Sequence, residues 1–189
     1  MSVEKLKRMK PIILDNVIPE RELFFLYNQI VPVRGWELTA QSTSVEYPSN
    51  KQFNQTPVLR IKTPEEGIIN YPFYLYGQSL VYRISEMLKE KHIGINTSLA
   101  RMWFNATYDS SESHWLHQDF KSSEVHTIVM FMTPVWQENW RGSFYVDGQE
   151  FKFKPGSAVI FDSREYHCGE KSKNKGTNWL RLTANIVVE

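Results

Sequence analysis

A mainly β fold is predicted, an antiparallel jelly roll with two helices in its N-terminal half, and three observations predict it. Beyond Gly94 the chain breaks into short β-branched and aromatic segments separated by turn signals, notably Asp147-Gly148 and Pro155-Gly156. Before Gly94, two stretches carry apolar residues at helical spacing. The 189 residues, 41% hydrophobic and 14% aromatic, suffice for one buried core, and no linker interrupts them. One domain over 1–189 is therefore expected, with 1–94 as helical and loop support and 95–189 as the jelly-roll core.

In chain order, the β-branched Pro11 to Leu14 reads as a strand and Asp15-Asn16 as a turn. A helix follows to Ile30, since Pro19 and the acids behind it suit the positive end of a helix dipole. Residues 31 to 72 carry five prolines in polar sequence and read as long loops with a short strand near Val58 to Lys62. Phe73, Tyr76, Leu80, Ile84, Met87 and Leu88 mark a helix over 73–91, with Gly94 as its stop and His92 near its C-terminal end. Strands are then expected at Ile95–Asn105, Val125–Thr133, Ser143–Val146, Glu150–Phe153, Ala158–Phe161 and Trp179–Val188.

Composition excludes several classes. No apolar run exceeds five residues, as at Ile128 to Met132, against about 18 for a membrane span. The basic N-terminus lacks an apolar stretch behind it, which argues against a secretory signal. A single cysteine asks for no oxidising compartment, so a cytoplasmic protein without membrane attachment is expected. A net charge of +1 argues against a surface built to hold nucleic acid.

Chemistry concentrates in the second half. His117-Gln118-Asp119 precedes the Val125 strand, and His167 follows the Ala158 strand. Residues two apart in extended backbone share a face, so His117 and Asp119 are expected to project together and His167 to join them. Two imidazoles and a carboxylate on one face of an octahedron, with the opposite positions open, suit a non-haem Fe(II) centre. Arg181, alone in the apolar strand Trp179 to Val188, calls for a carboxylate partner that its guanidinium can hold by two parallel bonds. Thr183 shares its face. With 2-oxoglutarate bound, the dicarboxylate cancels the metal and Asp119 cancels Arg181, so the buried assembly is neutral.

His117-x-Asp119, Trp140-Arg-Gly-Ser-Phe144, Phe153-Lys-Pro-Gly-Ser-Ala-Val-Ile-Phe161, His167 and Arg181-Leu-Thr183 together resemble the Fe(II)/2-oxoglutarate-dependent dioxygenase superfamily. The strand, turn and helix over 11–30 resemble its prolyl-4-hydroxylase-like members. The resemblance implies a double-stranded β-helix with His117, Asp119 and His167 as catalytic metal ligands, and Arg181 with Thr183 on the cosubstrate. It implies Fe(II), 2-oxoglutarate and O₂, and allows ascorbate. The implied reaction is substrate hydroxylation with release of succinate and CO₂, with a lean toward peptidyl proline or another protein side chain. A small-molecule substrate stays open. Asp119 favours hydroxylation over halogenation, and Val187, where nucleic-acid-acting members carry a second Arg, lowers a nucleic-acid substrate. The chain departs from the pattern at Arg141-Gly142-Ser143, where such members often have Gly-Gly. Tyr108 is a weak candidate for their upstream cosubstrate-contacting Tyr.

Structural readings stand beside these. His117-x-Asp119 alone is a weak signal among five histidines, and a metal-free jelly-roll binding module is the alternative. Arg181 is otherwise an ion-pair partner of some buried acid. His114-x-x-His117 is a rival pair with no cysteine nearby to complete a zinc set, and His126 alternates away from its strand neighbours. Cys168 is either space-filling or an oxidisable thiol beside the metal. Trp103, Trp115, Trp136 and Trp140 are core residues or frame the pocket mouth. The basic stretches Lys5–Lys10 and Lys171–Lys175 are solvated, the second expected near the mouth.

Overall fold

The computed structural model describes residues 9–40, 55–107, 116–119, 125–174 and 176–189. In order these form β1 (Ile12–Leu14), α1 (Glu20–Ile30), β2 (Glu37–Ala40), β3 (Gln55–Thr63), β4 (Gly67–Ile68), α2 (Tyr71–Lys89), β5 (Leu99–Thr107) and β6 (His126–Phe131). A 3-10 turn at Glu138–Trp140 precedes β7 (Phe144–Val146), β8 (Gln149–Phe151), β9 (Ala158–Asp162), β10 (His167–Gly169) and β11 (Arg181–Val188). Among the described residues, no helix is long and apolar enough to cross a membrane.

Both helices form where their apolar spacing places them. In α1, Leu23, Leu26, Tyr27 and Ile30 make one buried stripe, Glu20 and Glu22 occupy the first turn, and Pro19 takes the N-cap position. Helix α2 starts two residues earlier than its apolar stripe suggests, because the Asn70 side chain accepts from the Phe73 N–H at 3.3 Å. It buries Leu80, Val81, Ile84 and Leu88, worth roughly 1.5–3 kcal/mol each. Its end differs from expectation. His92, with φ 59°, takes the left-handed position, and Ile93 N–H returns to Leu88 O at 3.0 Å, so the chain has already turned before Gly94.

Two antiparallel sheets face each other. The larger runs β1-β9-β6-β11-β5-β3-β2, with β4 on β3, and the smaller runs β10-β7-β8. The N-terminal part thus supplies strands as well as helices. β3 is longer than the segment near Val58 to Lys62 suggests, and β2 lies in sequence read as loop. Period-two alternation divides the larger sheet. Met102, Phe104, Ile128, Met130, Ile160, Leu182, Ala184 and Ile186 pack with the helices. On the opposite face, Val129, Phe131, Val159 and Phe161 pack with Phe144, Val146, Phe151 and Phe153 of the smaller sheet and its flank. The Pro155-Gly156 turn ties the layers together: Gly156 has φ 73°, and a Cβ there would lie 2.3 Å from the Ile18 carbonyl oxygen. The space between the sheets is where β11 sends its odd-numbered side chains.

Candidate metal and carboxylate site

His167 opens β10, and its backbone exchanges two hydrogen bonds with His117, at 3.0 and 2.9 Å. That isolated antiparallel bridge, rather than a continuous strand, carries His117. Directly opposed residues present side chains to the same side, and the two imidazole rings lie 4.3 Å apart between centroids. Phe161 and Phe144 pack against His167, which is 3% exposed, while the His117 side chain is 35% exposed and faces the opening. His167 Nδ1 lies 3.0 Å from the Glu165 carbonyl oxygen. A carbonyl only accepts, so Nδ1 carries a proton and Nε2 is the nitrogen turned toward Asp119.

Asp119 completes the cluster. Its Oδ1 is 3.8 Å from His117 Nε2 and its Oδ2 is 3.5 Å from His167 Nε2. The three ligand atoms all lie within 4.8 Å of one another, close enough for one divalent ion to bridge. Burial by itself pushes the Asp119 carboxyl up, but the His167 hydrogen bond, the His167 and His117 charges and the Thr127 hydroxyl outweigh it and leave the group below its usual value. Thr127 on β6 donates to Asp119 Oδ2 at 2.9 Å, and its hydroxyl lies 2.8 Å from that of Ser163. Both hydroxyl residues are buried. Neither stands out among the motif residues. The available signal is that Thr127 is the one small polar residue in the run Thr127 to Met132 on an otherwise apolar strand.

A second polar centre lies on the same sheet face. Arg181 projects from β11 on the side of Thr183 and Asn185 and is 3% exposed. Its guanidinium lies over the Phe153 ring at 5.5 Å, and Nε donates to the Gly142 carbonyl at 2.9 Å. Nη2 has no hydrogen-bond partner among the described residues. Burial draws the group down to about 10, partly offset by the Glu170 carboxylate, so it stays charged at neutral pH. An orphaned, buried guanidinium edge fits a carboxylate ligand. The Thr183 hydroxyl is buried beside it and accepts from Asn185 Nδ2 at 3.4 Å. Gly142 is needed for this approach: with φ 81°, a Cβ there would lie 2.9 Å from Trp136 Cζ2 and 3.0 Å from Arg181 Nε.

Other expectations resolve by position. Trp136 packs on Phe153 at 4.3 Å and on Trp140 at 5.4 Å, which puts both indoles at the Arg181 end of the site. The basic loop is there too, since Lys173 N–H bonds Trp140 O and Ser172 bridges Arg141. Cys168 alternates away from His167 and sits opposite Tyr145, off the metal cluster. Burial pushes its thiol up, which disfavours the reactive thiolate. His126 lies across from Asp162, and burial pushes its imidazole down, so it is a neutral histidine outside the cluster. Tyr108, His114, Trp115, Lys175 and residues 5–8 lie outside the described residues.

No protein-family model and no curated protein matches the sequence. Solved structures do match the fold. A 2-oxoglutarate-Fe(II) oxygenase family oxidoreductase from Burkholderia pseudomallei shares 14% identity over 94% of this chain and 84% of its own, with a TM-score of 0.67. A Pseudomonas putida prolyl-4-hydroxylase shares 16% over 95% of this chain and 92% of its own, at 0.60. A non-heme alpha-ketoglutarate-dependent epimerase from nogalamycin biosynthesis shares 10% over 95% and 77%, at 0.61. The jelly-roll fold of this chain is therefore the fold of 2-oxoglutarate-Fe(II) oxygenases, and at these identities the likeness concerns fold.

Proposed function

We propose that the protein is an Fe(II)- and 2-oxoglutarate-dependent dioxygenase that hydroxylates its substrate, with His117, Asp119 and His167 as metal ligands and Arg181 and Thr183 on the cosubstrate. The observation that carries this reading is a pair of polar centres on one sheet face: two imidazoles and a carboxylate converging within 4.8 Å, and a buried Arg181 whose Nη2 has no partner among the described residues. The Asp119 oxygens lie 3.8 and 3.5 Å from the two imidazole nitrogens and all three ligand atoms fall within 4.8 Å, so these side chains could together hold one divalent ion.

Bound Fe(II) with 2-oxoglutarate and O₂ supplies the oxidising chemistry, in which the cosubstrate becomes succinate and CO₂. The chain supplies position and electrostatics. The Glu165 carbonyl fixes the His167 tautomer, and the Thr127 hydroxyl fixes the Asp119 carboxylate. Arg181 holds a carboxylate against Phe153 where water is excluded, which strengthens the pairing. Beyond β11 the same face continues onto β5 and β3, where a groove of about 530 Å³ is lined by Val58, Arg60, Arg101 and Trp103. That groove is the proposed seat of the substrate, with a protein side chain such as proline favoured by the likeness to the prolyl-4-hydroxylase.

Titration of the purified protein with Mn(II), a redox-silent stand-in for Fe(II), tests the metal half. One site per chain is expected, and 2-oxoglutarate should bind more tightly once it is filled. Protein that takes up no metal and ignores 2-oxoglutarate would instead be a binding module on the same fold. Thr127→Val keeps side-chain volume and removes the hydroxyl on Asp119. Its expected effect is a loss of about 10- to 100-fold in Mn(II) affinity with folding retained, and wild-type affinity in this variant would exclude the positioning role.

A further inference from the structure

Arg141 occupies a backbone conformation that side chains rarely adopt, φ 55° with ψ −137°. Its carbonyl accepts from Trp136 Nε1 at 2.8 Å and its N–H reaches Glu138 O at 3.2 Å, so the surrounding turn holds it there. Glycine meets that geometry without strain, so an arginine here carries a backbone cost that its side-chain contacts must offset.

The side-chain contact is with Glu170. Its Oε2 accepts the Ser143 N–H at 3.1 Å, and its backbone N–H bonds the Ser143 carbonyl at 2.7 Å. The carboxylate therefore sits alongside Gly142 and Ser143, next to the carbonyl on which Arg181 Nε docks. Arg141 Nη1 lies 3.8 Å from Glu170 Oε1. Glu170 is engaged by Arg141 and the Ser143 amide, and its charge also reaches Arg181, whose Nη2 has no partner among the described residues.

We infer that Arg141 is a positioning residue for the cosubstrate: by holding the Glu170 carboxylate it keeps that anion from occupying or repelling the carboxylate place on Arg181. The inference rests on the proposed reading of Arg181. Without Arg141, Glu170 keeps the Ser143 N–H but loses the cation that counters its charge, and its field acts on the same guanidinium that must hold the dicarboxylate.

The test is the 2-oxoglutarate dissociation constant of Mn(II)-loaded protein, measured by calorimetry together with thermal stability. Arg141→Gly should bind about fivefold more weakly while its melting temperature rises, because strain is relieved. Opposite signs in the two readouts separate positioning from structural damage. Arg141→Lys keeps the charge and should stay near wild type, and Arg141→Gly combined with Glu170→Gln should recover wild-type affinity. Wild-type affinity in Arg141→Gly, or a loss that persists in the double variant, overturns the inference alone. A wild-type protein that binds no 2-oxoglutarate overturns both it and the reading of Arg181.

Discussion

Asp119→Ala is expected to lower Fe(II) or Mn(II) affinity by more than about 100-fold and to abolish 2-oxoglutarate turnover, with the fold intact. Two imidazoles alone leave the ion without its anionic ligand, and the charge balance with the dicarboxylate is lost. The fold survives because Asp119 is held by side chains rather than by the sheet ladder, and Thr127 retains its contact with Ser163. Metal titration of the variant beside a circular dichroism melt checks both halves. Retained tight metal binding would show that the ion is held elsewhere.

Arg181→Met is expected to separate stability from function. The methionine fills similar volume and removes a buried cation that is drawn down to about 10 by desolvation. Replacing an incompletely compensated buried charge with an apolar side chain is often neutral or stabilising, here by up to about 2 kcal/mol. The Gly142 carbonyl loses its donor, which takes back about 1 kcal/mol. The 2-oxoglutarate affinity should meanwhile fall about 100-fold, since a buried, charge-assisted pair contributes about 2–5 kcal/mol. Denaturant unfolding with and without 2-oxoglutarate measures both. A variant that is strongly destabilised would assign Arg181 instead to a structural ion pair with Glu170.

Legibility in the sequence follows the range of the interactions involved. Helix α1 and the strands β5 to β9 and β11 were written in local periodicity and turn chemistry, whereas β10 was not, and His167 meets His117 through an isolated bridge between them. Strand β2 was not, because its ladder to β3 is a tertiary pairing across polar sequence rich in proline. Helix α2 ends at Lys89 rather than Lys91, and the stop lies at His92 rather than Gly94 because His92 adopts the left-handed conformation usually left to glycine. Around the site, the ligand types were readable from spacing, whereas Thr127, Ser163 and the Glu165 carbonyl act through contacts made only when β6, β9 and the turn after β9 meet. The placement of Cys168 and the 171–174 loop needed the register of the smaller sheet, since one residue of alternation decides whether a side chain faces the cluster or turns away from it.

One metal cluster and one buried guanidinium on a single sheet face are proposed to act together on 2-oxoglutarate. Succinate formed from 2-oxoglutarate by purified protein with Fe(II) in air, measured with and without Asp119→Ala and Arg181→Met, tests it most directly. Slow, Fe(II)-dependent succinate release by the wild type is expected even without added substrate, and none above background from either variant. Equal succinate from wild type and Asp119→Ala, or none from a wild type shown to be Fe(II)-loaded, would contradict it.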